Sequence, residues 1–260
     1  DLLEVFGMIK ALETFEEEQI EKKRKACVTK ANNLIQKSRY SLNLMEQRII
    51  LYTLSQIKHT DVSLSEMKFN INTFFKLCGV DNHNYQYLKD TLQKLKSKTF
   101  WIVIDDKGTE SCVSWFSTLR MNKRSGVVTL KFDDDLAPFI LQLKQQFTSY
   151  SIFPTLVMKS RYSIRLYELL KSYQGLEEWW FELDDFKRKM DAENYNKYAD
   201  IRRYVIEVAV AEINKFTDLE IDWRPIKQGR QYTKIQFFIK GKSPYYNLLA
   251  EQEVQGQLML

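Results

Sequence analysis

Glycine and proline are scarce in this chain of 260 residues, at 8 and 4, which argues against long disordered linkers. Cysteine is scarcer still: Cys27, Cys78 and Cys112 lie far apart, form no CxxC and are odd in number. That usage argues against a disulfide framework or a zinc site, and for a reducing cytosol. The two histidines, His59 and His83, lack the paired spacing of metal ligands. Neither GxxxxGK[ST] nor GxGxxG occurs, so no P-loop or dinucleotide site is expected. No Ser/His/Asp or Cys/His set suggests itself. No apolar run approaches the roughly 20 residues of a membrane helix. Asp1 and Glu4 stand where a secretory leader would carry basic residues. The expectation is a protein with no enzymatic activity, cofactor, metal or membrane span.

What is present is a core-forming composition, 44% hydrophobic and 28% charged, enough for one large domain or two small ones. The net charge of +5 is unevenly spread. Residues 27–147 carry 17 Lys and Arg against 11 Asp and Glu, and residues 148–242 carry 17 against 14. The first 26 and last 18 residues are acidic on balance. A basic body between acidic ends suits a polyanionic partner.

The chain is organised around residues 198–239. In YADIRRYVIEVAVAEINKF, Ile201, Val205, Val208, Ala209, Ile213 and Phe216 share one face at helical period, with Arg203, Glu207 and Asn214 opposite. Two strand-like runs, 219–226 and 232–239, follow, joined by Lys227-Gln228-Gly229-Arg230 as a hairpin. A long helix and a basic hairpin form the second half of a winged helix, which puts a helix in the major groove and a hairpin on the backbone. The same stretch fits an ordinary α+β domain with a helix packed on a hairpin.

Along the chain, residues 1–25 read as an amphipathic helix ending in the charge run Lys22-Lys23-Arg24-Lys25, and residues 28–40 as extended. The helix 41–58 opens with a capping-box pattern at Asn43 and Glu46. A strand at 67–71, a short helix, a polar turn at Asp81-Asn82 and a long helix at 84–98 follow. Strands are expected at 100–105, 112–121 and 127–132, then a helix with Pro138 in its first turn. Asp133, Asp134 and Asp135 precede that helix and read as caps rather than metal ligands. The second half repeats the order: an extended segment 147–154, a helix at 160–173, a strand at 178–183, a short helix at 184–190, a polar turn through Asn194, then 198–239. The junctions FNINTFFKL and FELDDFKRK read alike. A duplicated unit of roughly 100 residues explains this order most economically. The expected division is a helical extension over 1–27, units over 28–147 and 148–242, and a tail over 243–260.

The stretches QFTSYSI (146–152), SRYSIRLYELLKSY (160–173) and IRRYVIEVAVAEINKFTDLEIDW (201–223), continuing into KQGRQYTKIQF (227–237), resemble the replication initiator (Rep) proteins of iteron-containing bacterial plasmids. SLNLMEQRIILYTLSQI matches more loosely, and the resemblance covers roughly residues 28–242. It implies an α+β protein of two tandem winged-helix domains after an N-terminal helical extension. It further implies a cytoplasmic, sequence-specific binder of double-stranded DNA that opens a plasmid origin at repeated sites. Host replication proteins, initiator and helicase, would be recruited, and a monomer–dimer equilibrium would let the dimer repress its own gene. A dimeric transcriptional repressor and a tandem winged-helix scaffold are the alternatives; basic hairpin residues argue against the scaffold.

On that reading the N-terminal part of the second long helix, Lys197 to Arg203, meets the bases. Arg203 points away from the apolar face and suits guanine, whereas Arg202 lies nearer the core and reaches phosphate. Lys227, Arg230 and Lys234 hold the backbone. Gln86 and Lys89 on the first long helix and Lys107 on its hairpin do the same for the first unit. Lys187 and Arg188, on the short helix, are candidates for phosphate contact or for a solvated face. Trp179, Trp180 and Phe181 fit either base stacking or core. Two packing expectations complete the set. Glu212, on the apolar face, should pair with Arg165. The apolar strands at 100–104 and 127–130 should offer a sheet edge for dimerisation through the first unit.

Overall fold

The structure, a computed structural model, describes residues 26–80, 84–105 and 107–242. The helix expected over 1–25, the tail over 243–260, and the turn residues Asp81, Asn82 and Asp106 lie outside the described residues.

The first unit opens with strand β1 (Cys27–Ala31) and helix α1 (Asn32–Lys37), so the run 28–40 is not extended throughout. Helix α2 (Leu44–Leu54) starts at the expected capping box: Asn43 Oδ1 accepts from Glu46 N at 2.9 Å, and Glu46 Oε2 accepts from Asn43 N at 2.7 Å. Glu46 is fully buried, and Lys98 reaches it at 2.6 Å. Strand β2 (Met67–Asn70) runs into helix α3 (Ile71–Leu77), where the Asn70 side chain takes the Asn72 and Thr73 amides. Helix α4 (Tyr85–Ser97), capped by Asn84, buries Leu88, Leu92 and Leu95 at one-turn intervals. Strands β3 (Thr99–Val103) and β4 (Glu110–Ser114) then pair, among the described residues, only with each other.

The run 112–121, expected as one strand, breaks at Trp115. Its indole is 1% exposed and packs against Phe100 and Tyr40, with ring centroids 4.8 and 5.2 Å away. Burying that ring turns the chain from the β3–β4 ribbon into a second sheet. Strands β5 (Phe116–Asn122) and β6 (Val127–Phe132) join β2 there in the order β2-β6-β5. Val127–Leu130 is therefore in a central strand and offers no edge, contrary to the dimer expectation. The unit closes on a 3-10 turn (Asp134–Leu136) and a single helical turn, α5 (Ala137–Ile140), with Asp133 accepting from the Asp135 amide at 3.2 Å.

Strand β7 (Phe147–Ser151), the short helix α6 (Phe153–Val157) and helix α7 (Arg161–Lys171) follow. Pro154 opens α6, so the extended reading of 147–154 fails after Ser151. Strand β8 (Glu178–Glu182), helix α8 (Leu183–Lys189), helix α9 (198–216), and strands β9 (Leu219–Gln228) and β10 (Gln231–Gly241) complete the second unit. Their sheet has the order β8-β10-β9. In both three-stranded sheets the strand before the short helix pairs with the last strand of the hairpin, so the two units share one topology. The ribbon β3–β4 is an addition to the first.

Helix α9 starts as Tyr198–Ile201, passes through a π-helical turn at Arg202–Ile206 and continues as Glu207–Phe216. The Glu207 amide donates to the carbonyl of Arg202, five residues back. The wider turn shifts the phase of everything after it. Ile206 and Val210 turn inward, and Val208, expected in the core, is 39% exposed. Asn214 bonds to strand β9, accepting from Ile221 N at 2.6 Å and donating to Ile221 O at 2.8 Å.

The two units are joined by pairing, not by a free linker. β7 lies antiparallel to β1, with Val28 opposite Tyr150 and Lys30 opposite Thr148, across the expected boundary at 147/148. Beneath that ribbon, Glu168 of α7 forms an ion pair with Lys30 and accepts from the Tyr150 hydroxyl, all three buried. Burial, and then the Glu168 carboxylate, hold the Tyr150 phenol well above its ordinary pKa, so it remains the donor. Arg165, on the same helix, donates to Ser38 O at 2.9 Å, Tyr40 Oη at 2.7 Å and Lys189 O at 3.1 Å.

The expected Glu212–Arg165 pair is not formed. Arg165 is satisfied by those three oxygens, and Glu212 accepts from the backbone amides of Lys159 at 2.9 Å and Ser160 at 3.2 Å. A carboxylate there satisfies amides at the start of α7 and complements its dipole. Glu212→Ala should therefore cost about 1 kcal/mol, the size of a lost cap rather than of a broken buried pair. Urea unfolding checks this, and a cost above roughly 3 kcal/mol would return Glu212 to a buried-pair role.

Candidate nucleic-acid interface

Each unit presents a long helix with a hairpin turn at the end of its sheet. In the second unit Lys197, just before α9, and Arg202, Arg203 and Tyr204, along its first half, are all exposed. The π turn makes room for three consecutive outward side chains, which an α-helix of 100° per residue spreads over most of its circumference. Arg202 is exposed rather than core-facing, and its Nε meets Glu207 at 2.7 Å; that carboxylate raises its pKa. Arg203 has no ion pair among the described residues, and its guanidinium lies 5.4 Å from the Tyr204 ring centroid.

The hairpin turn holds Lys227 and Arg230, both exposed, around Gly229, whose φ of +63° suits a residue without a side chain. Tyr232, just past the turn, stacks on Tyr198 at the start of α9, with centroids 3.9 Å apart and planes at 21°. Lys227 lies over the Tyr232 ring, 4.5 Å from its centroid. Burial pushes the Tyr198 phenol up to about 12. This stack ties the hairpin to the helix, and the sequence reading missed it. Lys234 lies further along the sheet, 3.0 Å from Glu182 and 3.9 Å from the Trp180 ring, so its charge is matched there. Trp180 is 48% exposed, while Phe181 is core and Trp179 stacks on Tyr173.

In the first unit Gln86 and Lys89 are exposed on α4, with Gln86 donating to Asp90 at 2.7 Å. Lys107 is exposed too, but in the turn of the β3–β4 ribbon, which is not the counterpart of the β9–β10 hairpin. The counterpart is β5–β6, and its turn carries Lys123 and Arg124, both exposed. Asn122 Oδ1 accepts from the Arg124 and Ser125 amides at 3.0 and 3.1 Å, and Gly126 takes a φ of +64°. The two hairpin turns thus share a glycine at positive φ beside two basic residues. Asn122-Lys123-Arg124-Ser125-Gly126 carries that signal in the sequence.

Lys187 and Arg188 sit half-buried on α8. That helix faces α1 and the segment after it: Lys189 donates to Gln36 O, and Asp185 meets Arg39 at 3.3 Å, with Arg188 of the same helix 3.7 Å from Asp185. Ser41 and Arg161 share Asp191, at 2.7 and 2.5 Å.

A family model described as the initiator replication protein winged helix WH1 matches residues 27–171, and the corresponding WH2 model matches residues 182–239. The chain belongs to the initiator replication protein family. Its fold is two tandem winged helices. Among curated proteins of this kind, the PI protein of Escherichia coli is 28% identical over 131 residues, which is 43% of this chain and 43% of that protein. An uncharacterized 27.6 kDa protein of Escherichia coli is 25% identical over 209 residues, 73% of this chain and 86% of its own length. A crystal structure of the Pi initiator protein in complex with iteron DNA has the same fold, with a TM-score of 0.68 at 19% identity, covering 85% of this chain and 99% of that one. By element order α4 and α9 stand as the third helices of the two winged helices, after α2 and α3 and after α7 and α8, and β5–β6 and β9–β10 are the hairpins that pair with β2 and β8, in the place of wings.

Proposed function

We propose that this chain binds double-stranded DNA at repeated sites of a plasmid origin and initiates replication there. The supporting observation is the duplication itself: two third helices, each beside a wing turn of two exposed basic residues and a glycine. Arg203 reads base edges, with Arg202 and Lys197 beside it. Lys227 and Arg230 hold the phosphates of one segment, and Lys89, Lys123 and Arg124 those of another, with Gln86 at the helix start. The units 28–147 and 148–242 each carry one such surface. On this reading the place of action is the bacterial cytoplasm, where a plasmid origin lies. No helix among the described residues is long and apolar enough to cross a membrane.

Recruitment of host initiator and helicase, and repression of its own gene by a dimer, belong to the same reading. Self-association through the first unit is favoured by the β3–β4 ribbon, which has unpaired edges and shows Trp101 at 60% exposure. Footprinting on the plasmid's own origin tests the function. A ladder of evenly spaced protections supports an initiator, and one inverted repeat alone would make it a repressor. The wing assignment has its own signature. Arg230→Ala should weaken specific and random duplexes alike and lower the slope of log affinity against log salt by roughly one unit. An unchanged slope removes Arg230 from the phosphate contacts.

A further inference from the structure

Val208 is an aliphatic side chain on the surface of a helix whose remaining outward residues are mostly polar or basic. It is exposed because of the π turn. At a uniform 3.6 residues per turn it falls beside Val205 and Ala209, on the face that packs against the core. The π turn brings it instead one turn beyond Tyr204, itself 46% exposed, with Ala211 and Lys215 exposed further along. Tyr204, Val208, Ala211 and Lys215 recur at intervals of four, three and four, which is one helical face. The strip begins beside Arg203 and ends at Lys215, so an apolar stretch lies between two cations. Glu207, the carboxylate next to it in sequence, is tied to Arg202. π turns within α-helices recur at functional sites, and in this one the Glu207 amide bonds to the Arg202 carbonyl, five residues back, just before Val208.

We infer that Val208 is a specificity-determining residue that packs on the C5-methyl group of a thymine in the major groove. This rests on the reading that α9 enters that groove. The methyl group is the apolar feature of a base-pair edge there, and a short branched side chain between cationic flanks matches it in size and surroundings. Arg203 and Val208 then read different chemistry from one helix, a hydrogen-bonding purine edge and an apolar pyrimidine edge.

The test uses the full chain and a duplex that it selects from a random-sequence pool. Each thymine of that duplex is replaced in turn by deoxyuridine, which lacks only the methyl group. The wild-type chain should bind one such duplex roughly fourfold more weakly, the size expected for losing one buried methyl contact. Val208→Ala should bind the thymine and uracil forms of that position equally, with its salt slope and melting temperature unchanged. Wild-type indifference to every replacement overturns the inference. So does a thymine preference that survives in Val208→Ala, which would assign the methyl contact to another side chain. A pool that yields no enriched duplex sinks the groove-binding reading together with this one, whereas an enriched duplex without a methyl effect sinks this one alone.

Discussion

Glu168→Ala should lower the free energy of unfolding by about 3–5 kcal/mol. Glu168 is 3% exposed and Lys30 1% exposed, and the two are paired beneath the β1–β7 ribbon. Removing the carboxylate leaves an ammonium group in an apolar site without a counter-ion, and the Tyr150 hydroxyl without its acceptor. Both groups then carry their desolvation penalty uncompensated. The attraction within the pair is not itself the source of this cost. Lys30→Met combined with Glu168→Leu and Tyr150→Phe should come out near neutral, because apolar groups of similar volume need no partner. Urea midpoints at constant denaturant slope measure both changes. A loss under about 1 kcal/mol for Glu168→Ala would mean that water reaches Lys30 at little cost.

Arg203→Ala should cost about 1–3 kcal/mol on the selected duplex and relax preference at one base pair. The guanidinium is exposed and free of ion pairs among the described residues, so its donors are available to a purine edge without breaking an internal contact. Arg202 differs, since reaching a base would require leaving Glu207. Titration of specific and random duplexes at one salt concentration separates the two roles. Random DNA should be bound nearly as before. An equal loss on both duplexes would make Arg203 a phosphate contact and move sequence reading elsewhere on α9.

The duplicated order of elements was legible because each unit announces itself locally. Asn43 with Glu46 and Gly229 in the hairpin are signals that act within a few residues. The elements that were misread depend on distant contacts. The one local irregularity in 112–121 is the adjacent apolar pair Trp115-Phe116, which does not by itself mark a break; the break comes with packing of Trp115 against Tyr40 and Phe100. Chain order alone points to the hairpin that carries Lys107, the first after a third helix, whereas pairing with β2 makes β5–β6, with Lys123 and Arg124 in its turn, the counterpart of β9–β10. The π turn at Arg202–Ile206 has no marker in the composition, yet it decides which residues of α9 face outward. Arg165 and Glu212 were paired by face alone, and both found backbone partners that periodicity does not show.

The β1–β7 ribbon also sets the order in which the chain can fold. Thr29 faces Ser149 across 120 residues, so β1 leaves the ribosome long before its partner exists. Until then it is an open strand edge next to a basic segment, the kind of surface that invites wrong pairing. Closing so long a loop delays assembly far more than it weakens the final state. The second winged helix draws mainly on contacts within residues 161–241 and has no such wait. Synthesis runs from one end, but the last piece of the first unit to settle is its own beginning.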